Sequence, residues 1–327
     1  RDVAPSRGLG DVYKRQPTYH TMETCVTFTW MQLCNRLLQM TGNSLYADYM
    51  ETAIYNALMA SLKADASQIA KYSPLEGWRH EGEEQCGMHI NCCNANGPRA
   101  FAMIPQFAYQ VQDDCVRVNF YAPSEAELVL PGKKSVRLKQ TTDYPRTDQI
   151  EIEVDPAKET AFTIALRIPA WSKIAVVSVN GQPQDGVLQG AYLPVNRKWK
   201  KGDRITVKLD LRARLVERNQ AQAIVRGPIV LARDSRFGDG FVDEASVVVS
   251  KDGYVALTPV KAPGFAWLAF TAPMVLGTDL ESNRAPKQIH FCDFASAGNT
   301  WDKTQRYRVW LPKTLNVMHS PYRPYNQ

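Results

Sequence analysis

Apolar residues recur at three- and four-residue spacing from Glu23 to about Met40, with Trp30, Leu33, Leu37 and Leu38 at the repeating positions. That period predicts a helix, and Thr41-Gly42-Asn43 supplies its stop. A second helix is predicted from about Ser44 to Leu62, with Tyr46, Met50, Ile54, Tyr55 and Leu58 on its apolar face. The turn between them is very short, so the two helices are expected to be antiparallel neighbours. Residues 63–91 have no such period and contain "KYSPLEGWRHEGEEQCGMH". Irregular stretches of that length inside a compact domain usually serve a function. A third helix is predicted from Cys92 or Asn94 to Gln106.

After Gln106 the period falls to two. Strands are predicted in 115–122, 135–140, 149–155, 162–171, 175–183 and 203–211, with a hairpin turn at Asn180-Gly181. Short strands with regular turn signals imply a β-sandwich. Residues 223–234, "AIVRGPIVLARD", are expected to carry the chain back towards the helical part. Weaker strands follow in "ASVVVS", "WLAFTA", "KQIHFCDF" and "QRYRVWL". The predicted class is therefore α + β and multidomain: a helical piece over 17–108, a first sandwich over 109–235 and a second over 236–327.

The length of 327 residues supports two or three domains. Hydrophobic residues make up 44 % and charged ones 22 %, as in soluble globular chains, and no apolar run is long enough to span a bilayer. The net charge is +6, but the basic residues are scattered. The densest run, "NRKWKKGDR" (196–204), reads as a solvated hairpin rim, so neither nucleic acid nor membrane is expected as a partner.

The first residues, "RDVAPSRGLGDVYKRQ", carry no hydrophobic pattern and no initiator Met. "DVYKRQ" (11–16) is what the end sequence of a transposon sequencing adapter encodes in frame. Residues 1–16 are accordingly expected to be foreign, with native sequence from about Pro17 and the chain a C-terminal portion of a longer protein.

Seven cysteines, an odd number, make a complete disulfide framework improbable in a chain this large. Cys92 and Cys93 are adjacent, and "METC" brings Glu23 and Cys25 within one residue of each other. Three thiolates and one carboxylate suit tetrahedral zinc, and soft sulfur ligands argue against Mg²⁺ or Ca²⁺. Spacing alone leaves two other readings open, buried structural thiols and a redox pair. Cys86 could compete as a ligand, Cys34 reads as core, and Cys115 and Cys292 lie in strand patterns.

"ETCVTFTWMQLCNRLLQMTGNSLYADYMETAIYNALMASL", then "KYSPLEGW" and "NCCNANGPRA", resembles the C-terminal part of the catalytic domain of glycoside hydrolase family 127, the β-L-arabinofuranosidases. "LRIPAW…VNG" and "VRGPIVLA" resemble its sandwich region, and "ASAGNTWDKTQRYRVWLP" a terminal sandwich of relatives. The resemblance implies part of an (α/α)6 barrel followed by two antiparallel β-sandwiches. It implies that Glu23, Cys25, Cys92 and Cys93 bind Zn²⁺, that Cys92 is the nucleophile and that Tyr72 contacts the sugar. His89 is a further candidate substrate contact. Such a site carries a formal charge of −2, which should loosen the Zn–S bonds and leave Cys92 able to attack.

The family's acid/base is a glutamate upstream of the Glu-x-Cys motif, but no glutamate precedes Glu23. Glu81, Glu83 and Glu84 could substitute, although a polar loop is the plainer reading. The expectation is a retaining glycoside hydrolase that releases L-arabinofuranose from plant-type glycans in its full-length form, with this chain alone inactive. The alternative is a non-catalytic carbohydrate-binding or structural sandwich protein with a structural zinc. The expected partner is a glycan. A homodimer is left open as the assembly, and cytoplasm and periplasm as the location.

Overall fold

The computed structural model describes residues 21–85, 87, 89–218, 221–239, 245–247, 250, 252–276 and 286–312. The 1–16 stretch and Cys86 lie outside the described residues. The chain is mostly β-sheet with few helices: α1 (Thr24–Thr41), α2 (Leu45–Ala53) and α3 (Cys92–Ala108). Among the described residues no helix is long and apolar enough to cross a membrane.

α1 and α3 match the periodic stretches closely. The predicted second helix differs. After α2 the ladder widens into a π-helical turn at Ile54–Leu58. Asn56 in that turn spends its side chain on a hairpin, donating to the Pro228 carbonyl (2.8 Å) and accepting from Val230 N (2.9 Å). A tertiary contact has overridden the helical period there, and π turns of this kind are often found where a helix is locally specialised.

Two compact units emerge. One gathers the described residues up to Phe28, Ala53–Pro98 and those from Arg212 onward; the other holds Thr29–Thr52 and Arg99–Leu211.

The second unit contains two sheets. The first runs in the order β8 (Ala191–Trp199), β6 (Thr160–Ile168), β2 (Cys115–Val118), β1 (Tyr109–Gln112). The second runs β3 (Ser124–Leu130), β4 (Lys134–Thr142), β5 (Gln149–Pro156), β9 (Asp203–Leu209), β7 (Ala175–Val179). Alternate residues of the second sheet are buried, such as Ile150, Ile152 and Val154 in β5 and Ile205 and Val207 in β9, whereas β6 of the first is buried continuously from Ile164 to Ile168. That alternation gives the second sheet one apolar face. The Asn180-Gly181 turn has φ of 51° and 78°, the pattern of a two-residue hairpin. One pairing departs from the all-antiparallel expectation: β2 runs parallel to β6, with Val116 opposite Ile164. Alternation identifies strands but not the direction of their partners.

In the same unit Arg167 is fully buried and meets two carboxylates, Asp48 and, at 2.6 Å, Glu51. Tyr144 donates its hydroxyl to Glu51 (2.8 Å), and Trp171 donates its indole N–H (3.3 Å). The polar residues of "LRIPAW" and α2 thus form one buried network.

The first unit is built on a sheet in which β10 (Ala213–Arg218), β11 (Ala221–Arg226), β12 (Ile229–Asp234), β14 (Lys287–Asp293) and β13 (Ala269–Leu276) are successive neighbours. Ala232 of β12 faces Cys292 of β14. The boundary expected near 235 therefore falls inside a sheet, because hydrogen-bond partners distant in sequence leave no local mark. The core here includes Ile224, Ile229, Leu231, Phe270, Met274 and Phe291.

The irregular stretch after α2 is anchored on this sheet. Glu76 and Gly77 pair with Arg308 and Tyr307. Arg79 is fully buried. It donates to the carbonyls of Phe294 (2.5 Å) and Ala295 (2.9 Å), with its guanidinium 4.8 Å from the ring centres of both Phe294 and Tyr307. Tyr307 donates its hydroxyl to Pro74 (2.6 Å). These bonds fix the loop that borders the cysteines.

Candidate metal and nucleophile centre

Glu23, Cys25, Cys92 and Cys93 converge in the first unit, with their ligand atoms all within 4.8 Å of one another. Cys25 Sγ is 3.0 Å from Cys92 Sγ and 3.3 Å from Cys93 Sγ, and Cys92 Sγ is 4.0 Å from Glu23 Oε1. Each pair comes from a helix entrance. Glu23 immediately precedes α1, its carbonyl accepting from Thr27 N at 2.9 Å. Met22, at the bend before it, has a φ of 52°, a conformation few side chains adopt. Thr24 ties this entrance to the loop through its N–H to Lys71 O (2.9 Å) and its hydroxyl to Ala70 O (2.7 Å).

Cys92 and Cys93 open α3, with Asn91 as the cap. Asn91 Oδ1 accepts from Cys93 N (3.0 Å), while Asn94 Oδ1 reaches back to Asn91 N (2.9 Å). The two side chains cap the helix reciprocally, with Asn91 satisfying the second helical N–H rather than the third of a strict capping box. Asn91 also donates to Glu81 O (2.9 Å), and Cys92 N donates to Gln85 Oε1 (2.8 Å). Gly97, one turn on, leaves no room for a side chain, since a Cβ there would lie 2.8 Å from Ile69 Cγ2. α3 can approach the 61–70 segment this closely only with glycine at that position.

The three sulfurs differ in setting. Cys92 is exposed, Cys25 half-buried and Cys93 fully buried. Burial, foremost, pushes the Cys25 and Cys93 thiols above the usual cysteine range; at Cys25 the Asn96 amide and Cys93 oppose the rise while Cys92 adds to it, and at Cys93 the other two sulfurs add to it. Three crowded sulfurs cannot all be anions without a cation among them. The donor set fits zinc. A tetrahedral ion with Zn–S of about 2.3 Å separates its sulfurs by about 3.8 Å, so a small outward shift seats it.

Tyr72 lies within electrostatic reach. Burial raises its phenol, Lys71 opposes the rise, and Glu23 and Cys93 contribute to it. His89 has a φ of 55° and is 91 % exposed, its Nδ1 2.9 Å from Glu84 Oε2. The structure gathers the four predicted ligands and places His89 out on the loop. Sequence reading missed Asn96, whose Nδ2 donates to Cys25 Sγ at 3.2 Å, and Gln85. Asn96 stands four residues after Cys92 on one helix face, a spacing that could have revealed it.

Residues 10–106 match the family model for the β-L-arabinofuranosidase GH127 catalytic domain, and residues 115–211 match that for the GH127 middle domain. The chain belongs to glycoside hydrolase family 127. The catalytic-domain match begins at residue 10, within the stretch expected to be foreign. The chain is 26 % identical over 235 residues to a non-reducing end β-L-arabinofuranosidase of Bifidobacterium longum, covering 64 % of this GH127 chain and 34 % of that protein. A GH127 β-L-arabinofuranosidase from Geobacillus stearothermophilus shares the fold with a TM-score of 0.74 at 23 % identity, over 90 % of this chain and 50 % of that one. A second GH127 β-arabinofuranosidase, BT3674, superposes with a TM-score of 0.75 at 25 % identity, over 90 % and 49 %. The GH127 chain thus spans about half the length of these solved relatives and about a third of the curated one.

Proposed function

We propose that the whole protein is a retaining β-L-arabinofuranosidase acting on plant-type glycans, with Cys92 as its nucleophile, and that the helices of this chain are part of an (α/α)6 barrel. The observation that carries the reading is the convergence of three sulfurs and one carboxylate within 4.8 Å, with Cys92 the most accessible of the three cysteines and Cys93 fully buried. Bound zinc would hold the sulfurs as thiolates at neutral pH.

The rest falls to Cys92 and to a general acid/base of the whole protein. The Cys92 sulfur attacks the anomeric carbon, forming a C–S bond as the glycosidic C–O bond breaks. The departing oxygen takes a proton from a general acid. Water, deprotonated by the same group, then attacks that carbon and returns the electron pair to sulfur. Two displacements give net retention. The Asn91 cap and Gln85 fix the Cys92 backbone, and the α3 N-terminus favours negative charge on its first residue. Tyr72, beside the cluster, is assigned to the sugar. Glu23, Cys25 and Cys93 are assigned as ligands that keep the remaining sites of the ion.

The test is to quench the whole protein during turnover of an aryl β-L-arabinofuranoside and map the modified peptide. A pentosyl group on Cys92 is expected. The same group on a carboxylate, or on Cys25 or Cys93, would overturn the assignment.

A further inference from the structure

We propose that Asn96 is a positioning residue that decides which sulfur of the cluster attacks, by holding Cys25 as a ligand while leaving Cys92 reactive. The inference rests on the reading of Cys92 as nucleophile and deepens it.

Chemically the three sulfurs are alike, so their environments must distinguish them. Cys93 is distinguished by burial, being fully enclosed and 3.8 Å from the Lys71 carbonyl. Cys25 is only half-buried and lies 3.0 Å from Cys92 Sγ, so access alone separates the two poorly. Asn96 supplies the missing difference. Its amide donates to Cys25 Sγ at 3.2 Å. A donor on a thiolate is a charge-assisted hydrogen bond that draws electron density from sulfur and makes it a poorer nucleophile.

The Cys92 backbone reinforces the contrast. Its N–H is committed to Gln85 Oε1 at 2.8 Å, so it adds no donor to the Cys92 sulfur. Helix geometry makes the arrangement specific. Asn96 follows Cys92 by one turn on α3, so the residue that restrains Cys25 is carried by the same rigid element as the nucleophile. Any shift of α3 moves both together.

The test needs no turnover. The zinc-loaded chain is treated with limiting iodoacetamide, whose iodide the attacking sulfur displaces, and the labelled cysteine is located by peptide fragmentation. In the parent protein Cys92 should be labelled well ahead of Cys25. Asn96→Asp keeps the shape but cannot donate, and Asn96→Ala removes the group. In both, the labelling rate of Cys25 relative to Cys92 should rise about tenfold or more, the worth of one charge-assisted bond. The cobalt-substituted protein should show shifted sulfur-to-metal charge-transfer bands in the same variants. An unchanged ratio and unchanged bands in a folded, metal-loaded Asn96→Asp chain would overturn the role of Asn96. Failure of the parent to favour Cys92 would instead overturn the nucleophile reading on which it rests.

Discussion

Cys25 Sγ and Cys92 Sγ lie 3.0 Å apart although 67 residues separate them in the chain. The 61–91 segment between them brings the two helix entrances together. It is held at one end by Thr24 on Ala70 and Lys71, and at the other by the Asn91 cap. The geometry of the cluster is a property of the loop as much as of the cysteines.

Removal of metal should therefore loosen the loop as well as empty the site. One zinc per chain is expected by elemental analysis, and a strong chelator should lower the melting temperature. A ligand present at a hundred times its Kd stabilises the folded state by about 2.7 kcal/mol, so the shift should be plain. Cys93→Ser should abolish binding, and Glu23→Gln should weaken it. A melting temperature insensitive to chelator would refute this coupling.

The Asn91 cap should matter to both helix and metal. Asn91→Ala removes an N-cap and one of the two donors to the Glu81 carbonyl, the other being Lys71 N at 3.1 Å. A loss of about 1–2 kcal/mol is expected in denaturant unfolding, with weaker zinc retention in a chelator competition. Equal zinc affinity in the variant would show that the cap acts on the helix alone.

Gly97→Ala tests the close approach of α3. The added Cβ would meet Ile69 Cγ2 at 2.8 Å and Cγ1 at 3.0 Å. Ile69 is buried, so about 1–3 kcal/mol of destabilisation is expected. In the double variant with Ile69→Ala the loss should be smaller than the sum of the two single losses, since the alanine removes the clashing atoms. Strict additivity would place the effect elsewhere.

The buried Arg167 network makes a pH-dependent prediction for the second unit. Burial, foremost, raises the Asp48 carboxyl, Arg167 pulls it down, and Glu51 adds to the rise. A carboxyl raised on folding contributes stability that is full below its unfolded pKa of about 3.9 and is lost as pH climbs through the folded value. Chemical unfolding measured from about pH 4 upward should show that falling contribution in the parent and not in Asp48→Asn. A Glu51→Ala variant, which leaves Arg167 without one of its two carboxylates, should lose about 3–5 kcal/mol at neutral pH.

The sequence made some of this legible and hid the rest for physical reasons. α1 and α3 stood out because their apolar positions keep a helical period, and the Asn180-Gly181 hairpin because it needs positive φ twice. The Glu23, Cys25, Cys92 and Cys93 cluster was visible because "METC" and the Cys92–Cys93 pair are distinctive local patterns of soft donors. What stayed hidden was non-local. The pairing of Ala232 with Cys292 and the parallel run of β2 beside β6 depend on partners far along the chain. The burial of Arg79 inside an irregular loop depends on Phe294 and Tyr307, more than 200 residues later. His89 seemed near the site because it precedes the cysteines, yet its positive φ accompanies a turn out into solvent beside Glu84.

The most direct test of the central claim is hydrolysis of an aryl β-L-arabinofuranoside by the whole protein with Cys92 replaced by serine, zinc content being measured in the same sample. Turnover should fall by about a thousandfold or more while zinc is partly retained. Unchanged turnover in the Cys92→Ser protein would contradict Cys92 as the attacking group.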